Sequence, residues 1–195
     1  MGLERSAPMD IALKAPAAAR TLLRDACGAI HERLDARLSR VDFDDRASYA
    51  DMLARLSGPV SAVEGALTAG IAPALFPNWA GRMRAHRLRA DLDALGGGFR
   101  QRYAAPIESE AEALGALYVL EGSRLGGRVL ARLAGESRDP AVRGARRYFT
   151  HGAAPILWRE FLATLEASSA AAAERERMIG AALATFTAFE AAFHD

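Results

Sequence analysis

The stretch from Leu114 to Leu133 (LGALYVLEGSRLGGRVLARL) constrains the fold most, because it predicts a long helix and weakens that helix at one place. Apolar residues recur every three or four positions over about five helical turns: Leu114, Leu117, Leu120, Leu125, Val129 and Leu133. This spacing predicts a buried helix. Its middle holds Gly122, Gly126 and Gly127, and each glycine costs a helix roughly 1 kcal/mol relative to alanine. We therefore expect that bare backbone is needed there.

Two explanations fit this glycine spacing. Glycines four residues apart lie on one side of a helix and let another group approach the main chain closely. That group is either a neighbouring helix or a flat ligand, and the spacing by itself leaves both open. The adjacent pair Gly126 and Gly127 also favours a bend in the helix.

The length and charge of the chain limit the class of protein. With 195 residues, we expect one domain over residues 17–195 after a loose lead-in over residues 1–16. Hydrophobic residues make up 51% and charged residues 25%, as in ordinary globular proteins. The 25 basic residues are balanced by 24 acidic ones, which argues against an extended nucleic-acid surface.

The location of the protein follows from two further features. Cys27 is the single cysteine, so no intrachain disulfide can form and a reducing cytoplasm is expected. The sequence has no run of eighteen apolar residues, and its first ten residues lack the pattern of a signal peptide. We therefore predict a cytoplasmic protein that does not enter the membrane.

The remaining segments also read as helices, and no stretch shows the alternation of a strand. Predicted helices cover residues 17–38, a second segment from a cap at Asp44 or Asp45 to Leu67, then residues 78–95, 140–149, 154–167 and 172–193. The predicted fold class is all-α.

Few of the polar residues suggest chemistry when they are taken singly. His31 borders the apolar face of the first helix and is more often structural there, with Arg24 about 10 Å away on nearly the same face. A basic run in the third helix (Arg82, Arg84, Arg87 and Arg89, with His86) is expected to face water, a partner surface being the alternative. No hydrolase, nucleotide-binding or zinc motif is present.

A single cofactor accounts for three of these features together. That cofactor is a flat macrocycle that binds iron and carries carboxylates. Its iron would be bound by His31, its other face would lie on the helix surface left bare by the three glycines, and its carboxylates would pair with Arg24.

Two motifs in this order resemble the bacterial heme oxygenases, especially those that accompany bacteriophytochromes. They are LLRDACGAIHERLD around His31 and ALYVLEGSRLGGRVL in the glycine helix. WREFLATLE at residues 158–166 and the closing TFTAFEAAF are similar to that family too, so the resemblance covers nearly the whole chain.

The resemblance implies the all-α heme oxygenase fold, with heme b between the first helix and a kinked glycine helix. His31 matches the proximal iron ligand, and Gly122, Gly126 and Gly127 match the distal glycines. Ser123 stands where animal members carry an aspartate that organises distal water. The other implied site residues are Arg24, Arg128 and Arg159 at the heme propionates, and Cys27 and Phe189 in the pocket.

The implied reaction is the opening of heme to biliverdin, carbon monoxide and ferrous iron, which requires O2 and a reductant. The chain has no flavin or nicotinamide motif, so an external electron donor, a ferredoxin or a reductase, is expected. A bacteriophytochrome is a candidate receiver of biliverdin. The main alternative is a non-catalytic heme-binding or heme-sensing protein of the same fold. An interaction module that uses the arginine-rich helix, and a thiaminase-like enzyme that uses Cys27, are further hypotheses.

Overall fold

The computed structural model describes residues 18–152 and 155–194, and within these ranges the regular structure is entirely helical. The all-α prediction is confirmed, whereas the predicted lead-in over residues 1–16 lies outside the described residues. The helices are α1 (Ala19–Leu38), α2 (Arg46–Ala69), α3 (Ala72–Leu75), α4 (Trp79–Arg82), α5 (Ala85–Leu95), α6 (Glu110–Glu136), α7 (Pro140–Gly144), α8 (Arg147–Thr150), α9 (Ile156–Ala167), α10 (Ser169–Ala173) and α11 (Arg175–Ala191).

Helix α6 forms the centre of the fold. It packs most extensively against α11, and it also contacts α7, α8, α9 and α10. The approach to α11 is so close that a Cβ atom at Gly115 would overlap the carbonyl oxygen of Met178. Helix α1 packs on α11 and α9, and α2 packs on α5 and α11. As a result, α1 and α6 share α11 as their common support.

Two helix ends follow signals that are visible in the sequence. The side chain of Asp45 accepts a hydrogen bond from the backbone N–H of Ala47 at 2.9 Å, which confirms the predicted cap of α2. Helix α5 ends at Gly96, whose φ of 72° is the left-handed conformation that glycine adopts readily.

The prediction of one continuous helix over residues 78–95 is wrong. Helix α4 ends at Arg82, Met83 is extended, and α5 begins at Ala85. The buried carboxylate of Glu64 accepts hydrogen bonds from the backbone N–H groups of Arg84 at 2.7 Å and Ala85 at 2.9 Å. A new helix therefore starts on a carboxylate cap supplied by α2.

The last predicted helices also differ in detail from those observed. The segment over residues 140–149 is divided into α7 and α8, and the segment over residues 172–193 is divided at Glu174 between α10 and α11. The predicted start of α9 at Ala154 lies outside the described residues. None of the helices in the described ranges is long and apolar enough to cross a membrane.

Candidate functional site

One side of α6 is apolar, half-buried at Tyr118 and Gly122 and uncovered from Leu125 to Val129. With about 3.6 residues per turn, Tyr118, Gly122, Leu125, Gly126 and Val129 lie within about 60° of one line along the helix. Leu125 is 39% exposed and Val129 is 53% exposed, so the predicted burial of the helix is wrong for these two residues. We call this row of five residues the open face. An uncovered apolar row on a helix marks a binding surface.

The glycines of α6 serve two different sides of the helix. A Cβ atom at Gly126 would meet no other atom within 4 Å, and one at Gly122 would touch only the ring of Trp158, at 3.7 Å. Gly127 lies on the opposite side, where a Cβ atom would press on Phe149 at 3.4 Å. Helix packing therefore explains Gly127, whereas Gly122 and Gly126 belong to the open face. Helix α6 continues unbroken through all three, and the predicted kink stays a prediction because a helix can bend without ending.

His31 projects from α1 with much of its imidazole uncovered. Its side chain is 57% exposed, and Nδ1 lies 3.1 Å from Oδ2 of Asp35, one turn later. The ring also meets the edge of Phe186 of α11, at 5.8 Å between ring centroids. Among the residues that the structure describes, no group hydrogen-bonds to Nε2, so this nitrogen is available as a ligand.

Cys27 and Phe189, both predicted to lie in a pocket, are buried in the core. Cys27 is 2% exposed, and burial raises the pKa of its thiol to about 11. A thiol with so high a pKa stays protonated at neutral pH and is a poor nucleophile, which argues against a thiaminase-like role. Phe189 is 5% exposed and lies one turn after Phe186, the ring that contacts His31.

Tyr118 connects the open face with α1. Burial is the first cause that raises the pKa of Tyr118; Cys27 also raises it, while Arg20 and Arg24 lower it. Helix α9 packs on both α1 and α6, and the ring of its Trp158 lies 5.9 Å from that of Tyr118. The open face of α6 and α1 are therefore joined through α9.

The predicted cations are all exposed and lie on three different helices, α1, α6 and α9. The side chain of Arg24 is 67% exposed and pairs with its neighbour Asp25, at 3.0 Å. Arg159 follows Trp158, the residue that touches Gly122. Arg128 is turned by about 120° from Gly122 around α6. Within the described part of the chain, neither Arg128 nor Arg159 forms an ion pair.

Ser123 is exposed beside the open face, and its hydroxyl is held by a buried arginine. Its hydroxyl donates to the carbonyl of Leu120 at 2.7 Å and accepts from Nη2 of Arg84 at 2.7 Å. The guanidinium of Arg84 also donates to that carbonyl at 2.8 Å and stacks on Tyr148, 4.7 Å from the ring centroid. Ser123 and Arg84 therefore act as one hydrogen-bonded unit next to Gly122.

The prediction that the basic run of the third helix faces water is wrong for Arg82 and Arg84, which are each 2% exposed. The break at Met83 turns both side chains inward. Arg82 pairs with Glu160 at 2.7 Å and with Glu121 at 3.3 Å. Arginines can be buried only with such partners, because an unpaired buried charge is very costly.

A buried ion-pair cluster supports α6 from behind. Glu121 receives two hydrogen bonds from Arg124, at 2.8 and 3.0 Å. Arg124 also donates to the carbonyl oxygens of Arg82 at 2.6 Å and His151 at 3.2 Å. These contacts join α6 to α4 and to the end of α8, and we call Arg82, Glu121 and Arg124 the back cluster.

These residues fit a heme. An exposed imidazole, an apolar surface without side chains at two positions, and exposed cations on the surrounding helices are the groups that hold an iron porphyrin with two carboxylates. The sequence profile of the family described as heme oxygenase matches residues 17–195. The chain belongs to the heme oxygenase family. It is therefore an oxidoreductase that binds and degrades heme in an oxygen-dependent reaction.

Two relatives show how far the similarity extends. A heme oxygenase from Xanthomonas campestris pv. campestris (strain 8004) is 37% identical over 146 residues, which are 74% of this chain and 88% of that protein. A heme oxygenase of Neisseria meningitidis, solved with NO and CO bound, has a TM-score of 0.74 at 24% identity. That match covers 90% of this chain and 89% of the other, and it shows that the two share a fold.

Sequence reasoning missed several residues around the site of this heme oxygenase. Asp35 could have been found from its position four residues after His31, and Tyr118 from its position four residues before Gly122. Phe186 and Trp158 are brought to the site only by tertiary packing.

Proposed function

We propose that heme binds in a slot between α1 and the open face of α6, with Nε2 of His31 as the iron ligand. The exposure of the imidazole and its contact with Asp35 support this assignment. A carboxylate that accepts the Nδ1 proton holds the ring in one orientation and makes Nε2 a better ligand.

The open face supplies the other wall of the slot. Leu125 and Val129 offer apolar surface to the porphyrin, while the missing side chains at Gly122 and Gly126 leave room on its oxygen-binding side. Because Trp158 lies at Gly122, its indole closes one side of the slot and helps to exclude water.

Cations at the edges of the slot bind the two propionates. Arg24 is the first candidate, since it lies two turns before His31 on nearly the same face of α1. Arg159 is the second candidate. Arg128 is the weakest, because it is turned by about 120° around α6 from Gly122. The hydroxyl of Tyr118, a half-buried residue of the open face, is a further donor.

The remaining predicted residues have supporting roles in this proposal. Ser123, fixed by Arg84, is the candidate for placing water on the distal side. Gly127 allows α6 to pack on Phe149, and Cys27 and Phe189 belong to the core that supports the slot.

Heme, when bound, supplies the iron that binds O2 and the ring that is opened to biliverdin, with carbon monoxide and ferrous iron as the other products. The protein holds and orients the ring and keeps bulk water away. Electrons come from an external donor, a ferredoxin or a reductase, because no flavin or nicotinamide motif is present in the chain. A bacteriophytochrome is the proposed receiver of biliverdin, and the cytoplasmic location stays a prediction.

The observation that carries this proposal is the uncovered apolar row around Gly126 beside an exposed imidazole. We expect purified protein to bind hemin one to one and, with ascorbate or a ferredoxin system in air, to convert the heme spectrum into that of biliverdin. The same mixture without O2 is the control. A stable complex that never yields bilin would instead support the non-catalytic heme-binding protein.

A further inference from the structure

Helix α1 begins without a capping residue of its own. Ala18 and Ala19 stand at its start, and neither side chain can accept a hydrogen bond. The carboxylate of Glu166, at the end of α9, takes that place. Its two oxygens accept hydrogen bonds from the backbone N–H of Ala19 at 3.1 Å and of Arg20 at 2.9 Å.

The charge of Glu166 suits this position. The first N–H groups of a helix lack partners and carry partial positive charge, so a carboxylate there is favourable. A bidentate contact also fixes the position of α1 along its own axis, since sliding or rotating the helix would break both bonds.

Helix α9 contacts both walls of the proposed slot. Glu166 holds the start of α1, whereas Trp158, about 12 Å earlier along α9, lies against Gly122 of the open face. The other end of α1 is tied to α11, where Arg33 pairs with Glu190 at 2.7 Å. Glu166 therefore anchors the end of α1 that is nearer to Arg24.

We propose that Glu166 is a positioning residue for heme: by capping α1 it sets Arg24 and His31 at the height and angle at which they meet the ring. This inference rests on the proposed heme slot. Rotation of the ring in its slot decides which meso carbon lies on the distal side, and Arg24 acts on that rotation through a propionate. Glu166 thereby influences which isomer of biliverdin is formed.

A helix cap can also act on stability alone, so the test includes a matched control. Asp45 caps α2 through a similar exposed side-chain contact, at 2.9 Å to Ala47, and α2 carries none of the residues that we assign to the slot. Asp45→Ala should therefore lower the melting temperature about as much as Glu166→Ala does, with hemin binding unchanged.

The experiment measures two quantities in the wild type, Glu166→Ala, Glu166→Gln and Asp45→Ala. The first is the rate of hemin transfer to an excess of apomyoglobin, and the second is the ratio of biliverdin isomers separated by chromatography. We expect hemin to dissociate about fivefold faster from Glu166→Ala, with a changed isomer ratio. Glu166→Gln keeps one side-chain oxygen and the size of the residue but loses the charge. Its hemin dissociation rate and isomer ratio should lie between those of the wild type and Glu166→Ala.

Dissociation rates and isomer ratios in both Glu166 variants equal to those of the wild type and of Asp45→Ala would overturn the positioning role. If Glu166→Ala does not fold, Glu166→Gln decides by the same two measurements. Failure of the wild type to bind hemin would overturn the heme slot itself and this inference with it. The two failures can therefore be told apart.

Discussion

The two sides of α6 have opposite construction. The open face offers bare backbone and uncovered apolar side chains around Gly126, whereas the back is fixed by ion pairs between Glu121, Arg124 and Arg82 that are almost fully buried. A helix weakened by glycine on its ligand side needs support from elsewhere, and the back cluster gives it. The difference implies that the back determines stability and the front determines heme binding.

Removing the shared acid of the back cluster should have the largest effect on stability. Glu121→Ala leaves the buried guanidinium of Arg124 without this carboxylate partner, and it removes one of the two carboxylates that pair with Arg82. We therefore expect the free energy of unfolding to fall by about 3–5 kcal/mol. Urea denaturation followed by circular dichroism measures this loss. The double variant Glu121→Leu with Arg124→Met should recover at least half of it. A loss below about 1 kcal/mol for Glu121→Ala would contradict the role of the cluster.

Adjacent glycines provide a direct test of the two sides. Gly126→Leu projects into open space, so we expect little change in stability, yet it should weaken hemin binding about 10- to 100-fold because it fills the slot. Gly127→Leu presses on Phe149 and should instead cost about 1–3 kcal/mol of stability. Hemin titrations and thermal melts of both variants distinguish the effects. Normal hemin affinity in Gly126→Leu would contradict the assignment of the open face.

This comparison also shows what the sequence could and could not predict. Local sequence patterns correctly predicted the all-α class, the cap at Asp45 and the end of α5 at Gly96. These features depend on residues that are neighbours in the sequence. Leu125 and Val129 have the same spacing as core residues, and period alone cannot distinguish a surface that meets a ligand from one that meets a helix.

Buried charges were the second limit of sequence reasoning. Arg82 and Arg84 look like a solvated run because their partners, Glu160 of α9 and Ser123 of α6, are distant in sequence. The cap that Glu166 gives to α1 spans 146 and 147 residues and leaves no local signal in the alanine-rich start of the helix. Such contacts are determined by tertiary packing.

Charge reversal at the front should have a smaller effect. Arg24→Glu places a negative charge near the propionates, and we expect hemin affinity to fall about fivefold at low salt and less in 1 M salt, where exposed charges are screened. Titrations at both salt concentrations check this. Arg138→Glu, at an exposed arginine after α6 that has no assigned role in the slot, is the comparison variant. An equal loss in both variants would mean that net charge, rather than a contact by Arg24, controls binding.

The smallest effect near neutral pH concerns the buried thiol of Cys27 in α1. Because burial raises the pKa of Cys27 from 9.0 to about 11, the unfolded chain loses this proton at a lower pH than the folded chain does. The contribution of Cys27 to stability should therefore be complete below pH 9 and decline between about pH 9 and pH 11. Comparing urea curves of the wild type and Cys27→Ala over this range isolates it. Parallel pH dependence in the two proteins would contradict the burial of the thiol.

The central claim, that His31 holds heme iron beside the open face of α6, is tested most directly by restoring the missing ligand from solution. We expect His31→Ala to lose the visible spectrum of a histidine-ligated hemin complex and to regain it when imidazole is added. His86→Ala, an exposed histidine on α5, should behave as the wild type does. A wild-type spectrum in His31→Ala without imidazole would contradict the account, because the iron ligand would then be another residue.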